Sequence, residues 1–175
     1  MRRKHGIRKP IGAFLVELPF VLWVFFFVLF FPTLNFATMF LRLTFLYGAT
    51  HNACICAARA RTFLNPINSD PTAISLSQDG ANGYVAAFTG IHVTNIDTAI
   101  VITNITTHAQ AIQTVPLTTP ADVGNFTYQV QVTVDGATDP LFLVPSFVPI
   151  AGLNQPLFLR ISDRQYFENP QGLVY

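Results

Sequence analysis

The chain has 175 residues, 51% of them hydrophobic, and a formal net charge of +1. That length accommodates one modest globular domain plus an anchor and leaves little room for a large two-domain enzyme. The small net charge conceals a division: five of the ten basic residues, Arg2, Arg3, Lys4, Arg8 and Lys9, occupy the first nine positions. No basic face or aromatic platform elsewhere gives that tip a nucleic-acid partner.

Residues 1–12 therefore read as a basic leader in front of a membrane segment. After Glu17, the run from Leu18 to Leu41 has 24 residues and no charge. As a helix it spans roughly 36 Å, against a hydrocarbon core of about 30 Å, so it crosses a bilayer once. The basic flank places residues 1–12 in the cytoplasm and the chain beyond about residue 42 on the far side. A cleaved secretory signal would have a shorter apolar region, of about 7 to 15 residues, ending at a small-residue cleavage site.

Beyond the run, Asn35, Thr38, Arg42, Asn52 and Arg59 fall near one helical face, while Leu, Phe and Ala fill the others. The helix is expected over residues 13–63, with its membrane part at about 18–41, and with a kink or local melting at Pro32. Its outer half, YGATHNACICAARARTF, is rich in small residues. Such a surface suits close packing, against another subunit or against the protein's own C-terminal part.

Residues 64–71, LNPINSDP, read as a linker. A short helix is expected from about Thr72 to Phe88. The clearest strand is NFTYQVQVTVDG, with Phe126, Tyr128, Val130, Val132 and Val134 on one face and an Asp135-Gly136 turn at its end. IHVTNIDTAIVITNIT and PLFLRISDRQYFEN read as partner strands. Pro145 and Pro149 mark the segment between as an edge or crossing loop. The predicted fold is α+β: one long N-terminal transmembrane helix continues outside the membrane and packs on an antiparallel sheet of three or four strands, within an extracytoplasmic region 72–175.

Catalytic patterns are sparse. His5, His51, His92 and His108 have no neighbour at a metal-ligand spacing. Cys54 and Cys56 point about 200° apart on a helix and cannot pair within it. They read as two small buried residues or as a bridge to another subunit. No serine sits in a nucleophile elbow, and Gly80 and Gly83 do not follow a strand as a phosphate loop would. The expectation is a non-enzyme with no cofactor, metal, nucleic acid or small-molecule substrate.

The opening peptide carries the most specific pattern. Gly12, four apolar residues and Glu17 follow the basic leader and precede the span. This resembles the processing site of type IV pilin-like proteins, in particular the TadE/TadG-like pseudopilins of tight-adherence (Flp-type) pilus assembly. The resemblance covers residues 6 to about 63 and extends more faintly to the closing strands, with Glu168 as a late glutamate in the last strand. It implies cleavage between Gly12 and Ala13 by a prepilin-type peptidase, residence in the bacterial inner membrane or pilus, and other pilins or pilus assembly proteins as partners. It also implies a role for Glu17 in assembly: its carboxylate would meet the new ammonium at Ala13, within one helix or between subunits. The competing reading of Glu17 is a solvated first-turn acid near the headgroups. A second functional class, a single-pass anchor displaying a small β-rich binding module, needs no processing.

Overall fold

The computed structural model describes residues 11–143 and 148–175, with side chains from Glu17 onward. Residues 1–10 of the leader, with His5, and Pro145 of the crossing segment lie outside the described residues. One continuous helical rod leads the chain. It is made of α1 (Ile11–Val24), a π-helical segment (Phe25–Phe30) and α2 (Phe31–Ala58). Leu, Val and Phe supply its apolar surface, and Pro19 is accommodated inside α1.

Pro32 does not melt the helix, which runs on through it. A proline in an α-helix clashes with the carbonyl four residues earlier and lacks the donor for it. Here the preceding turn widens to π geometry, and the Phe31 N–H donates to the Phe26 carbonyl. The widening relieves the clash and keeps the helix continuous.

The α-helix ends at Ala58, short of Phe63. The N–H groups of Arg59 and Ala60 close tight turns onto Cys56 and Ala57, and the chain turns away to bury Phe63 completely. The Phe63 and Leu64 N–H groups both donate to the Tyr175 carbonyl, at 2.9 Å each. The C-terminal 3-10 turn, Pro170–Val174, is thereby tied to the helix end. Residues 64–71 form turns, with Asn68 and Ser69 left-handed at φ 52° and 65°.

Helix α3 (Ala73–Val85) starts at a reciprocal cap: Thr72 Oγ1 accepts from the Ser75 N–H, and Ser75 Oγ accepts from the Thr72 N–H. Four antiparallel strands follow, β1 (Ile91–Asn104), β2 (Gln110–Gln113), β3 (Phe126–Thr138) and β4 (Leu157–Tyr166), in the order β2-β1-β3-β4. The alternation read in β3 holds, because Tyr128, Val130, Val132 and Val134 are all buried. β2 is short and only weakly apolar, so it carried no strand signal. Glu168 lies past the end of β4, where its exposed side chain meets Arg59 at 3.6 Å and its N–H donates to the Ala58 carbonyl.

The Asp135-Gly136 pair makes no turn. It lies inside β3, where Gly136 pairs with Val93 and Leu159. Glycine stands there because a Cβ would come within 2.9 Å of the His92 carbonyl and of both Leu46 methyls. The Leu46 side chain of the long helix thus packs directly on the strand backbone at this point. The core combines this face with the small-residue face of α2: Leu46, Ala49, Ala53 and Ala57 are fully buried, as are Val130, Val132 and Val134. The small-residue surface of the helix packs on the protein's own sheet and α3.

Gly136→Ala is expected to destabilise the domain by about 1–3 kcal/mol through overpacking. The loss should be smaller in a Leu46→Ala background, where two of the clashing methyls are gone. Denaturant unfolding of the four members of this cycle checks the coupling, and equal losses in both backgrounds would place the strain elsewhere.

Candidate functional site

The long helix meets two different surroundings. Glu17–Ala58, 42 residues, is the one helix among the described residues long and apolar enough to cross a membrane, and its most apolar window is 6% buried. The core helix of a soluble protein would be mostly covered, whereas every residue from Glu17 to Phe30 is exposed. The aromatic rings of this stretch contact one another along the helix, as those of Trp23 and Phe27 do at 5.3 Å.

Gly12 and Ala13 fall on the first turn of α1, where the N–H groups have no intrahelical acceptor. Glu17 stands one turn further on and is exposed, with no partner among the described residues. The three predicted site residues are therefore brought together on adjacent turns by the helix alone. The spacing places an amine created at Ala13 on the same side as the Glu17 carboxylate.

At the other end of the exposed stretch, the domain grips the helix through three polar side chains. Asn35 is fully buried, and its carboxamide makes two hydrogen bonds to one residue: Nδ2 donates to the Phe142 carbonyl at 2.7 Å, and Oδ1 accepts from the Phe142 N–H at 2.8 Å. Two turns on, the Arg42 guanidinium donates to the Asp139 carbonyl. It lies over Gly90, whose φ of +74° and missing side chain leave it room. Asp139 is fixed from its other side by His92, whose Nε2 is 2.8 Å from Oδ2. The stripe Asn35, Arg42 and Asn52 faces the protein; Asn52 donates to the Gly80 carbonyl at 3.0 Å.

Further out, His51 Nδ1 lies 2.6 Å from Asp163 Oδ2, and Cys54 is buried behind them with Sγ 3.4 Å from the Val130 and Asp163 carbonyls. The grouping of Cys, His and Asp has the composition of a nucleophilic site but not its electrostatics. Burial pushes the Cys54 thiol up to about 12, and the nearby Asp163 carboxylate adds in the same direction. A reactive thiol needs the opposite shift. Both cysteines are free, Cys54 buried and Cys56 half-buried. Among the described residues no three His, Cys, Asp or Glu side chains are placed to hold a metal ion.

No protein-family model, curated protein or solved structure matches the chain.

The residues missed by sequence reasoning are the partners of the polar stripe, Phe142, Asp139 and His92. Asn35 was the available signal, because an amide in an otherwise apolar run needs a hydrogen-bonding partner. Its partner is 107 positions away in the chain, so no local pattern could name it.

Asn35→Leu should leave both backbone groups of Phe142 unpaired, at about 1–3 kcal/mol for each group that water cannot reach. Hydrogen exchange should show Phe142 losing protection while the amides of Val130 and Val132 keep theirs.

The thiol gives a pH signature. In the unfolded chain Cys54 ionises near its ordinary 9.0, and in the folded chain near 12. Between those values the unfolded state binds fewer protons, so stability is full below about pH 9 and falls as pH rises toward 12, by at most about 1.4 kcal/mol per unit. Cys54→Ala should flatten that part of the stability-pH curve, as read by denaturant midpoints across the alkaline range.

Proposed function

We propose that the chain is a single-pass protein of the bacterial inner membrane, with its N-terminus cytoplasmic and residues 64–175 extracytoplasmic. In this reading it is a TadE-like minor pseudopilin that takes part in assembly of a tight-adherence pilus, acting through assembly rather than catalysis. The observation that carries the reading is the helical rod. Its N-terminal part is bare and apolar, with a single acid near the start, and its C-terminal part forms the core of a four-stranded antiparallel domain. The five basic residues before the span, against Arg42 alone immediately after it, support the orientation.

The same reading gives the exposed acid a purpose. A carboxylate at mid-membrane costs about 2.5–3.5 kcal/mol on insertion scales, and less toward the interface. Cleavage after Gly12 would place an ammonium at Ala13, and pairing opposite charges in a low-dielectric setting lowers the cost of both. Pairing between subunits rewards one axial register over its neighbours. A prepilin-type peptidase and other pilus components are the partners this mechanism needs.

Intact-mass measurement of protein extracted from its host membrane is expected to give a chain beginning at Ala13, and Gly12→Leu should retain the leader. Glu17→Gln should leave cleavage and membrane abundance at wild-type levels yet reduce co-purification with other pilus components. A native chain that retains its leader would favour the unprocessed anchor displaying a β-rich binding module. Normal assembly of Glu17→Gln would remove the charge-pairing role.

A further inference from the structure

We infer that residues 140–143 and 148–156, the described parts of the connection between β3 and β4, form a second membrane contact, which seats the domain on the outer leaflet beside its own transmembrane helix. The inference rests on the single-pass reading above. The bilayer is the partner because these residues lie beside the surface that the span presents to lipid.

Residues 140–159 contain no Asp, Glu, Lys or Arg. Leu141, Phe142, Leu143, Val148 and Ile150 are all exposed, and Leu143 at 76% exceeds every large hydrophobic side chain of the bare helix. Exposed apolar side chains gathered in one stretch of chain are a feature of interaction sites. Its position identifies the partner. The base of the segment is held at Asp139 by Arg42, the first charge after the uncharged run. From there the chain returns along the helix toward its N-terminus. Phe142 binds Asn35 and its ring lies 5.7 Å from that of Phe31. Those levels are roughly 10 and 16 Å from Arg42 on the membrane side, by helical rise. Gly152 abuts Met39 and Phe36, and an apolar groove lined by Phe36, Met39, Phe40, Leu43, Ala151 and Leu157 opens alongside. A bilayer that takes in the helix through Phe36 and Phe40 therefore meets this segment at the same depth.

Irregular backbone is tolerated near hydrocarbon when its polar groups are satisfied by protein. Among the described residues, several backbone groups of this connection are paired in that way. Asn35 uses both ends of its carboxamide on Phe142. Asn154 Oδ1 accepts from the Ile150 N–H at 2.7 Å, and its Nδ2 donates to the Val148 carbonyl. The Leu153 and Asn154 N–H groups return to the Ile150 carbonyl, and the Gly152 N–H donates to Gln155. Insertion of a few apolar side chains by about 5–10 Å is the depth typical of interfacial segments.

The test uses tryptophan quenching in single-copy nanodiscs of phosphatidylcholine and phosphatidylglycerol, brominated near the top or near the end of the acyl chains. Trp23 is the only tryptophan of the chain, so the wild type reports on the span. In a Trp23→Phe background, Leu143→Trp and, as a second exposed site, Val148→Trp report on the segment, and Ile112→Trp on β2 is the control. Quenching of the two segment probes by about twofold in the lipid brominated near the top, with blue-shifted emission and no change for the control, is expected for interfacial depth. Trp23 quenched by lipid while both segment probes respond only to aqueous acrylamide would overturn the inference and leave the anchor standing, with a protein partner as the occupant. Trp23 unquenched would overturn the single-pass reading and this inference with it.

Discussion

One helix has to satisfy two surroundings, and the rest of the structure depends on where it passes from one to the other. Asn35 sets that point. An amide in an apolar helix is costly unless both its donor and its acceptor are used, and the Phe142 backbone uses both. N-terminal to this clamp, every residue from Glu17 to Phe30 is exposed. C-terminal to it, Met39, Leu46, Ala49 and Ala53 are successively buried. The clamp also fixes the direction of the segment leaving β3, which could otherwise turn away from the helix. Arg42 repeats the device two turns later with a charge-bearing donor on a backbone carbonyl.

The domain is built around the helix rather than attached to it. Small residues make this possible: without a side chain at Gly136 the sheet reaches Leu46, and at Gly80 helix α3 comes so near that an added Cβ would lie 3.1 Å from the Ala53 Cα. Close backbone approach gives dense packing and leaves little freedom for rotation between the elements. Displacement of the span along its axis is consequently transmitted to the sheet. In the proposed role, register chosen at Glu17 inside the membrane would be carried to the outer domain without a hinge.

The outer face of the sheet is of a different kind. Arg160 reaches Asp97 and Asp135 at 3.3 and 3.6 Å, and Arg164 bonds Gln131 and Gln110 across the strands. These pairs are solvent-exposed and each contributes only about 0–1 kcal/mol. Their effect is to hold the two edge strands in register with the centre and to keep that face wet.

Local pattern was enough for the elements whose signal lies within one stretch of chain. The 24-residue uncharged run, the alternation from Phe126 to Val134 and the composition change at residue 64 are periodicities or composition, and they yielded the α+β class and the long helix. The Gly12-to-Glu17 spacing is local too, and the helix presents those residues on adjacent turns as their separation requires. Four features needed the folded chain. Asp135-Gly136 has the chemistry of a turn, yet the close approach of Leu46 makes it the middle of a contact. The helix stops at Ala58, and beyond it the Tyr175 carbonyl accepts from Phe63 and Leu64. Strand β2 pairs through its backbone and needs no apolar pattern of its own. Asn35 announced a need for a partner, but Phe142 became that partner only when the sheet brought position 142 back to the helix. Periodicity records what a residue requires of its neighbours in sequence, and hydrogen-bond pairing across a hundred positions is settled by the packing that brings them together.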